Sequence, residues 1–328
     1  MKEIELEKYI EIKKIICFTP DRIDYEERNL NDENHSNLSD PSLKVVELQD
    51  VYVTSDGFVF DSEYFIIDLG YTDRIEKNIS VANNLEEVSG DIDSASLIGG
   101  HANYYHWLMN WLPRLFLLEM CGYSKRTLLV GDSWARFQQS TFNYFVKKDS
   151  YNILRVKDVV FVKRLLVPTF FKNPLHSPFV VTQLRTRAKE DMLFVKPKKI
   201  YVSRKSANGR RVVNEEEMFA VLKNKGYELV ELEKLSFKEQ VKLFSNATHV
   251  IAPHGAGLVN LVFSKKIKFV VEIFNKSWSR VFWSLGAIVG VKRYASYNAL
   301  IVDNGLKSQL HDLKIDVDDF LEVFEGEL

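Results

Sequence analysis

Thr248-His249-Val250-Ile251-Ala252-Pro253-His254-Gly255-Ala256-Gly257-Leu258 reads as a buried strand that runs into a glycine-rich turn and then a helix. Two glycines let the backbone approach a ligand closely. The amides and dipole of the following helix suit an anion, and a diphosphate is the natural guest. His254, set between the strand end and the glycines, is placed to donate to a phosphate oxygen. The competing reading is a tight turn whose glycines serve only backbone geometry. As a loop residue His254 is expected to contribute little packing.

Around this stretch the pattern is regular. Strand Lys199 to Ser203, helix Asn214 to Lys225, strand Glu228 to Glu231 and helix Phe237 to Asn246 precede it. A helix from Gly257 to Phe263, strand Phe269 to Phe274, a helix from Trp278 to Val289 and a strand at Val291 to Tyr294 follow. Such alternation predicts a parallel, doubly wound α/β sheet, with ligands outside the carboxyl ends of the strands. Ser203 and Arg204 close the first of these strands, and Arg210, Arg211, Asn214 and Glu215 come next. Guanidinium groups here suit bidentate contact with phosphate, and two could neutralise a diphosphate without a metal. Arg210 alone reads as a solvated loop charge. Ser236 with Glu239 fits a capping box. Glu272 ends a strand, where it could accept from ribose hydroxyls or join a salt bridge.

Upstream, Tyr104, Trp107, Leu108, Trp111, Leu112, Leu115 and Leu118 follow helical spacing, with Pro113 marking a kink or restart. His106, Asn110 and Arg114 stand at i, i+4 and i+8, so on a continuous helix they share one stripe. Imidazole is the usual general base, although a lone helical His is more often a surface or satisfied core residue. Asp91-Ile92-Asp93 has DxD spacing but reads as a solvated loop, and no metal-ligand cluster or other catalytic motif appears. Short strands at Ile15 to Phe18, Val45 to Val53, Phe58 to Phe60 and Tyr64 to Asp68, with a polar loop at Asp21 to Ser42, occupy the start. Thr127 to Gly131 and Val159 to Val167 read as buried strands, Phe179 to Phe194 and Val317 to Phe324 as helices.

At 328 residues the chain exceeds the usual size of one core, which predicts two domains. They are placed at 1–196 and 197–328, the second carrying the regular alternation of strands and helices. Forty-four basic against forty-five acidic side chains leave no global field for nucleic acid or an anionic membrane. Cys17 and Cys121 lie far apart, which suits a reducing compartment, and Met1 to Ile16 lacks the apolar run of a signal peptide. A cytoplasmic location is expected.

The motifs and their order resemble glycosyltransferase family 61. Tyr105-His106-Trp107 with Leu112-Pro113-Arg114 is similar to its N-terminal motif, and Ser203-Arg204 with Arg211-Val212-Val213-Asn214-Glu215 to its middle one. Ser236 to Gln240, His254-Gly255-Ala256-Gly257-Leu258-Val259-Asn260 and Val271-Glu272 are similar to its C-terminal part. The resemblance covers about residues 97 to 275. It departs at Asn110, where an acidic residue is expected one turn after the His.

The resemblance implies a GT-B fold, two Rossmann-like domains facing a cleft, with the C-terminal helix packing back on the N-terminal domain. It implies an inverting, metal-independent transfer from a nucleotide sugar, expected to be UDP-linked, with no further cofactor. His106 would be the base, with Asn110 and Arg114 beside it. Ser203, Arg204, Arg211, Asn214, Glu215, His254 to Leu258 and Glu272 would hold the donor. Its bacterial members point to a capsule or lipopolysaccharide glycan, free or lipid-linked, as acceptor, with transient inner-membrane contact and no nucleic-acid partner. The rival readings are a GT-B-like pyruvyltransferase or nucleotide-sugar epimerase, and a binding protein without activity, which Asn110 favours.

Overall fold

The computed structural model describes residues 45–55, 57–60, 66–67, 88–98, 103–123, 126–147, 150–168, 177–275 and 279–328. The strand expected at Ile15 to Phe18, the polar loop, Gly99 to Ala102 and Trp278 lie outside the described residues. The chain divides into two compact units, the second running from Val181 to Leu328. The division thus falls before Pro197, where the boundary was expected just after the helix Phe179 to Phe194. From Val181 on, the helix Pro178–Ala188 belongs to the second unit, where the Arg185 guanidinium donates to the Ser264 carbonyl at 3.0 Å.

In the first unit the described strands are β1 (Val45–Thr54), β2 (Val59–Phe60), β3 (Ile66–Ile67), β4 (Val88–Ile92), β5 (Ala95–Leu97), β6 (Thr127–Gly131), β7 (Asn152–Val156) and β8 (Val159–Pro168). They order as β3-β2-β1-β8-β5-β6-β7, with β4 also on β8. β5, β6 and β7 run parallel with β8, the Rossmann-like part. β1, β2 and β3 add an antiparallel edge, pairing Val51 with Val162 and Val53 with Val160 in one long register against β8. The core is a set of aliphatic side chains, among them Val53, Val59, Leu97, Leu129, Val162 and Leu165.

The helix expected from Asn103 is broken in two. A turn Tyr104–His106 is capped by Asn103, whose Oδ1 accepts from the Tyr105 amide at 2.9 Å. It passes into a π-turn, Trp107–Trp111, closed by the Leu112 amide donating to the Trp107 carbonyl at 2.9 Å. An α-helix then restarts at Pro113 and runs to Met120. Proline is tolerated there because a first-turn amide has no helical partner to lose.

The second unit carries β9 (Lys198–Val202), β10 (Tyr227–Val230), β11 (Ala247–Pro253), β12 (Phe269–Phe274) and β13 (Arg293–Asn298), all parallel. Their order is β10-β9-β11-β12-β13. This is the doubly wound 2-1-3-4-5 arrangement, in which the strand order reverses between the first and third strands. Here that point lies between β9 and β11. Helices Glu215–Asn224, Phe237–Asn246 and Val281–Val289 connect the strands, and a 3-10 helix, Ala256–Phe263, follows β11. The Ser236 capping box forms as expected, the Ser236 hydroxyl accepting from the Glu239 amide at 3.3 Å.

A short antiparallel pair, β14 (Leu300–Val302) with β15 (Asp312–Lys314), leads to the last helix, Val317–Phe324. That helix was expected to pack back on the N-terminal domain. Its apolar face is instead taken up by the second unit's own core, where Phe320 and Phe324 lie 5.0 and 6.2 Å from the Tyr297 ring and Phe324 lies 5.8 Å from Phe269. Two aromatic rings at i and i+4 make one hydrophobic face, and β12 and β13 supply a surface for it.

Candidate functional site

The carboxyl ends of β9 and β11 flank the point of reversal, and the loops that leave them carry the residues singled out in the sequence. Arg204 follows β9. Its Nη2 donates to the Gly209 carbonyl at 3.1 Å, and its guanidinium lies over the Cα of Gly255. A Cβ on Gly255 would overlap Arg204 Nη1 and stand 3.0 Å from Cζ. Gly255 is therefore required by the arginine, since its own φ of 176° is extended backbone that any residue adopts. Arg204 thereby ties the 209–210 turn to the loop after β11.

The turn itself reverses direction through two left-handed residues, Gly209 at φ 139° and Arg210 at φ 54°. A non-glycine residue in that region is uncommon and costs on the order of 1 kcal/mol or more. Arg210 is partly buried, its amide donates to the Leu310 carbonyl at 3.1 Å, and the Nε atoms of Arg204 and Arg210 are both buried with no hydrogen-bond partner. Burial, and then the neighbouring Arg210 cation, hold the Arg204 guanidinium down to about 10, with Glu233 and Asp312 offsetting part of the effect. Burial likewise lowers Arg210, and the charge of Glu272 opposes it. Two like charges with incomplete hydrogen bonding are suited to receive an anion.

Arg211, one residue on, is engaged elsewhere. Its Nη2 and Nε donate to Asp312 Oδ2 at 2.7 and 3.1 Å, and its amide donates to Oδ1 at 2.9 Å. Asp312 is only 5% exposed, whereas the Arg211 side chain is 49% exposed and faces outward. Arg211 was expected at the diphosphate and Arg210 in solvent. The left-handed turn at Gly209 and Arg210 exchanges their directions.

Other residues expected to hold the donor are occupied within the scaffold. Glu215 is buried and accepts from the Tyr201 hydroxyl at 3.1 Å and the Ser203 hydroxyl at 2.8 Å. Asn214 donates to the Ile315 carbonyl at 2.8 Å and accepts from the Ile315 amide at 3.0 Å, fixing the segment before the last helix. Leu258 is a core residue, and Ala256 and Gly257 open the 3-10 helix that follows Gly255.

His254 leaves β11 with its amide donating to the Ile273 carbonyl at 2.8 Å. Its ring stacks on Phe274 at 5.1 Å between centroids and lies 5.5 Å from Phe282. The imidazole thus packs against both β12 and the helix Val281–Val289, more than the little packing expected of a loop side chain. Its Nδ1 is 2.5 Å from Glu272 Oε1, and the Tyr294 hydroxyl donates to Glu272 Oε2 at 2.5 Å. Glu272 is 0% exposed. With both oxygens engaged inside the protein, it is not available to the ribose hydroxyls expected of it.

In the first unit, His106 is exposed and its Nδ1 lies 3.0 Å from Asn110 Oδ1, the i, i+4 pair expected on a helical stripe. Arg114 does not share that stripe. It is 0% exposed, with Nη2 and Nε donating to the Pro168 carbonyl at 3.0 and 3.3 Å, and its guanidinium lies 5.5 Å from the Trp111 ring centre. A π-turn lies between His106 and Arg114, so a regular helical spacing does not relate their directions. Arg114 holds the end of β8, where a role beside His106 was expected. Asp93 pairs with Lys163 at 2.9 Å with both side chains exposed, as expected of a solvated residue, whereas Asp91 and Ile92 belong to β4 where a loop was expected. Among the described residues no three His, Cys, Asp or Glu side chains gather as a metal site, and no helix is long and apolar enough to cross a membrane.

Sequence reading missed Arg210 and Tyr294. A glycine before Arg210 was the available signal for a left-handed turn. Tyr294 carried no motif, and only the β12–β13 register, pairing Val270 with Tyr294 and Glu272 with Ser296, puts it diagonally beside Glu272 on one face.

Residues 104–271 match the family described as Glycosyltransferase 61. The EGF domain-specific O-linked N-acetylglucosamine transferase of Drosophila melanogaster is 27% identical over 139 residues, 38% of this chain and 26% of the fly protein. The chain thus matches about a quarter of that relative's length. A solved structure of the bacterial iron-containing dodecameric glycosyltransferase TibC from enterotoxigenic E. coli aligns over 85% of each chain at 12% identity and a TM-score of 0.32. TibC in complex with ADP-D-beta-D-heptose aligns over 86% of each chain, also at 12% identity, with a TM-score of 0.33.

Proposed function

The chain belongs to glycosyltransferase family 61, and from that premise we propose that it moves a sugar, with inversion, from a nucleotide-sugar donor to a hydroxyl of a glycan acceptor. The observation that carries the donor site is the pair of partly buried guanidinium groups, Arg204 and Arg210, with unpartnered Nε atoms beside the loop after β11. Direct displacement at the anomeric carbon releases a nucleoside diphosphate, and its developing charge has to be met in the transition state. Arg204, Arg210 and His254 supply cationic and hydrogen-bonding groups there without a divalent ion. The base for the acceptor hydroxyl is assigned to His106 in the first unit. A glycan of the capsule or lipopolysaccharide kind is the acceptor class proposed, reached in the cytoplasm or at the inner membrane face.

Calorimetric titration with UDP, GDP, ADP and CDP, with and without a chelator, tests the donor site. One nucleoside diphosphate is expected to bind with unchanged affinity in the chelator. Binding of none, or binding that the chelator abolishes, would remove the reading. The two adjacent arginines then separate scaffold from site. Arg210→Ala is expected to weaken binding about tenfold, the loss of one charge-assisted contact. Arg211→Ala is expected to keep the parent affinity and to lower the thermal midpoint, because Asp312 loses its partner.

That second variant also has a pH signature. Burial pushes the Asp312 carboxyl up, but the hydrogen bonds and charge of Arg211 outweigh it and leave the group below its ordinary value. A depressed carboxyl contributes stability above its unfolded titration range and loses it as pH falls through the folded one. The parent should therefore lose this contribution in acid, and Arg211→Ala should lack the guanidinium's share of it already at neutral pH, the Arg211 main-chain and Asn304 hydrogen bonds remaining. Thermal melts across that range would show whether the two curves converge in acid as expected.

A further inference from the structure

Glu272 is a carboxylate with no exposure at all, and such a group is tolerated only where hydrogen bonds replace water. One oxygen faces His254, and the other is held by Tyr294. Tyr294 lies outside the span that matches the family, on β13, and its ring rests directly on the helix Val281–Val289. A Cβ on Gly286 of that helix would stand 2.7 Å from Tyr294 Cδ2. Only glycine at 286 lets the ring lie where its hydroxyl meets Glu272. The same helix supplies Phe282 near the His254 ring, and Phe274 of β12 stacks on that ring. The imidazole is thereby fixed by two rings and one carboxylate oxygen, and that oxygen is fixed by Tyr294.

We propose that Tyr294 is a positioning residue for His254: by occupying Oε2 it keeps Oε1 of Glu272 on Nδ1, so that one hydrogen stays on Nδ1 and a proton taken up at Nε2 is the one donated to the donor diphosphate. This rests on the donor-site reading given above. Burial, and then the charge of Glu272, hold the tyrosine hydroxyl well above its ordinary value, so it remains a donor. Without the hydroxyl, Glu272 has one donor for two buried oxygens, and its carboxylate can turn or share both oxygens with the imidazole. Either movement shifts the hydrogen or the ring, and the Nε2 atom leaves its aim.

The Tyr294→Phe variant keeps the ring on Gly286 and removes only the hydroxyl. Long-range proton–nitrogen correlation spectra of the imidazoles, with His254 assigned through His254→Gln, read the tautomer directly. The parent is expected to carry the hydrogen on Nδ1, and Tyr294→Phe to lose that signature. Affinity for inorganic pyrophosphate, a probe independent of the nucleotide base, should fall roughly tenfold, as for a lost hydrogen bond to a charged group. If Tyr294→Phe does not fold, Gly286→Ala, which keeps the hydroxyl and displaces the ring, is expected to give the same spectral change. An unchanged His254 tautomer in the folded variant overturns the proposal, as does unchanged pyrophosphate affinity in a variant whose tautomer has moved. A parent that binds no pyrophosphate or nucleotide at all would refute the donor site. The spectra, which need no ligand, would still decide the positioning of His254.

Discussion

Replacing His106 by alanine is expected to slow sugar transfer by about 10² to 10⁴ while leaving nucleotide affinity at the parent value. The imidazole sits at the junction where a helical turn gives way to a π-turn, an irregularity often found at functional sites. With the Asn110 amide oxygen toward Nδ1, that nitrogen carries the hydrogen and Nε2 is the basic atom. A neutral amide can orient the ring, but it does little for the imidazolium that forms once the acceptor proton is taken. Asn110→Asp is therefore expected to keep the geometry and to raise the transfer rate. Donor affinity should not respond to His106, because Arg204, Arg210 and His254 belong to the other unit. Steady-state rates with separate nucleotide titrations would check both halves, and near-parent transfer by His106→Ala would end its assignment as base.

Gly255→Ala is expected to weaken nucleoside diphosphate binding about 10- to 100-fold, equal to the loss in Arg204→Ala, since a charge-assisted contact is worth about 1.5 to 3 kcal/mol. The added methyl takes the space of the Arg204 guanidinium, so the two changes remove the same contact. Combined, they should cost little more than either alone, the non-additivity expected of one interaction removed twice. Stability should move differently. The Arg204 group is held below its ordinary value, to about 10, so the folded protein binds its proton less readily than the unfolded chain. Its charge therefore costs stability below about pH 10, and the cost is relieved as pH rises toward the ordinary arginine value. Arg204→Ala should thus melt no lower than the parent without ligand and lose most of the stabilisation that nucleotide gives. Additive losses in the double variant, or a fall in the ligand-free midpoint, would contradict this account of the loop.

The second unit was legible because its central strands, β11 and β12, are buried along almost their whole length. Val250 to Ala252 stays apolar from end to end, Phe269 to Phe274 is interrupted only by Glu272, and helices of ordinary length separate such runs. The first unit was harder. β4, Val-Ser-Gly-Asp-Ile, has no apolar run, and β7, Asn152–Val156, is an edge strand with several partly exposed positions. The helix Arg136–Phe145 has too few apolar residues to announce itself.

Within the site, residue types were easier to anticipate than directions. Arg210 and Arg211 are chemically alike, and only the left-handed turn decides which one turns inward. The triad of Tyr294, Glu272 and His254 joins residues 22 and 18 positions apart along the chain, through a strand register that no local pattern encodes. Arg114 shows the opposite case, a regular i, i+8 spacing broken by the π-turn.

The central claim, that the second unit holds a nucleotide sugar and the chain breaks its glycosidic bond, is tested most directly by nucleotide release. Incubation with a panel of UDP-, GDP-, ADP- and CDP-linked sugars in the presence of a chelator, with no acceptor added, should liberate free nucleoside diphosphate slowly from one member. The same reaction should be nearly silent in Arg204→Ala. Release from no member of the panel, or release at the parent rate in Arg204→Ala, would contradict the account.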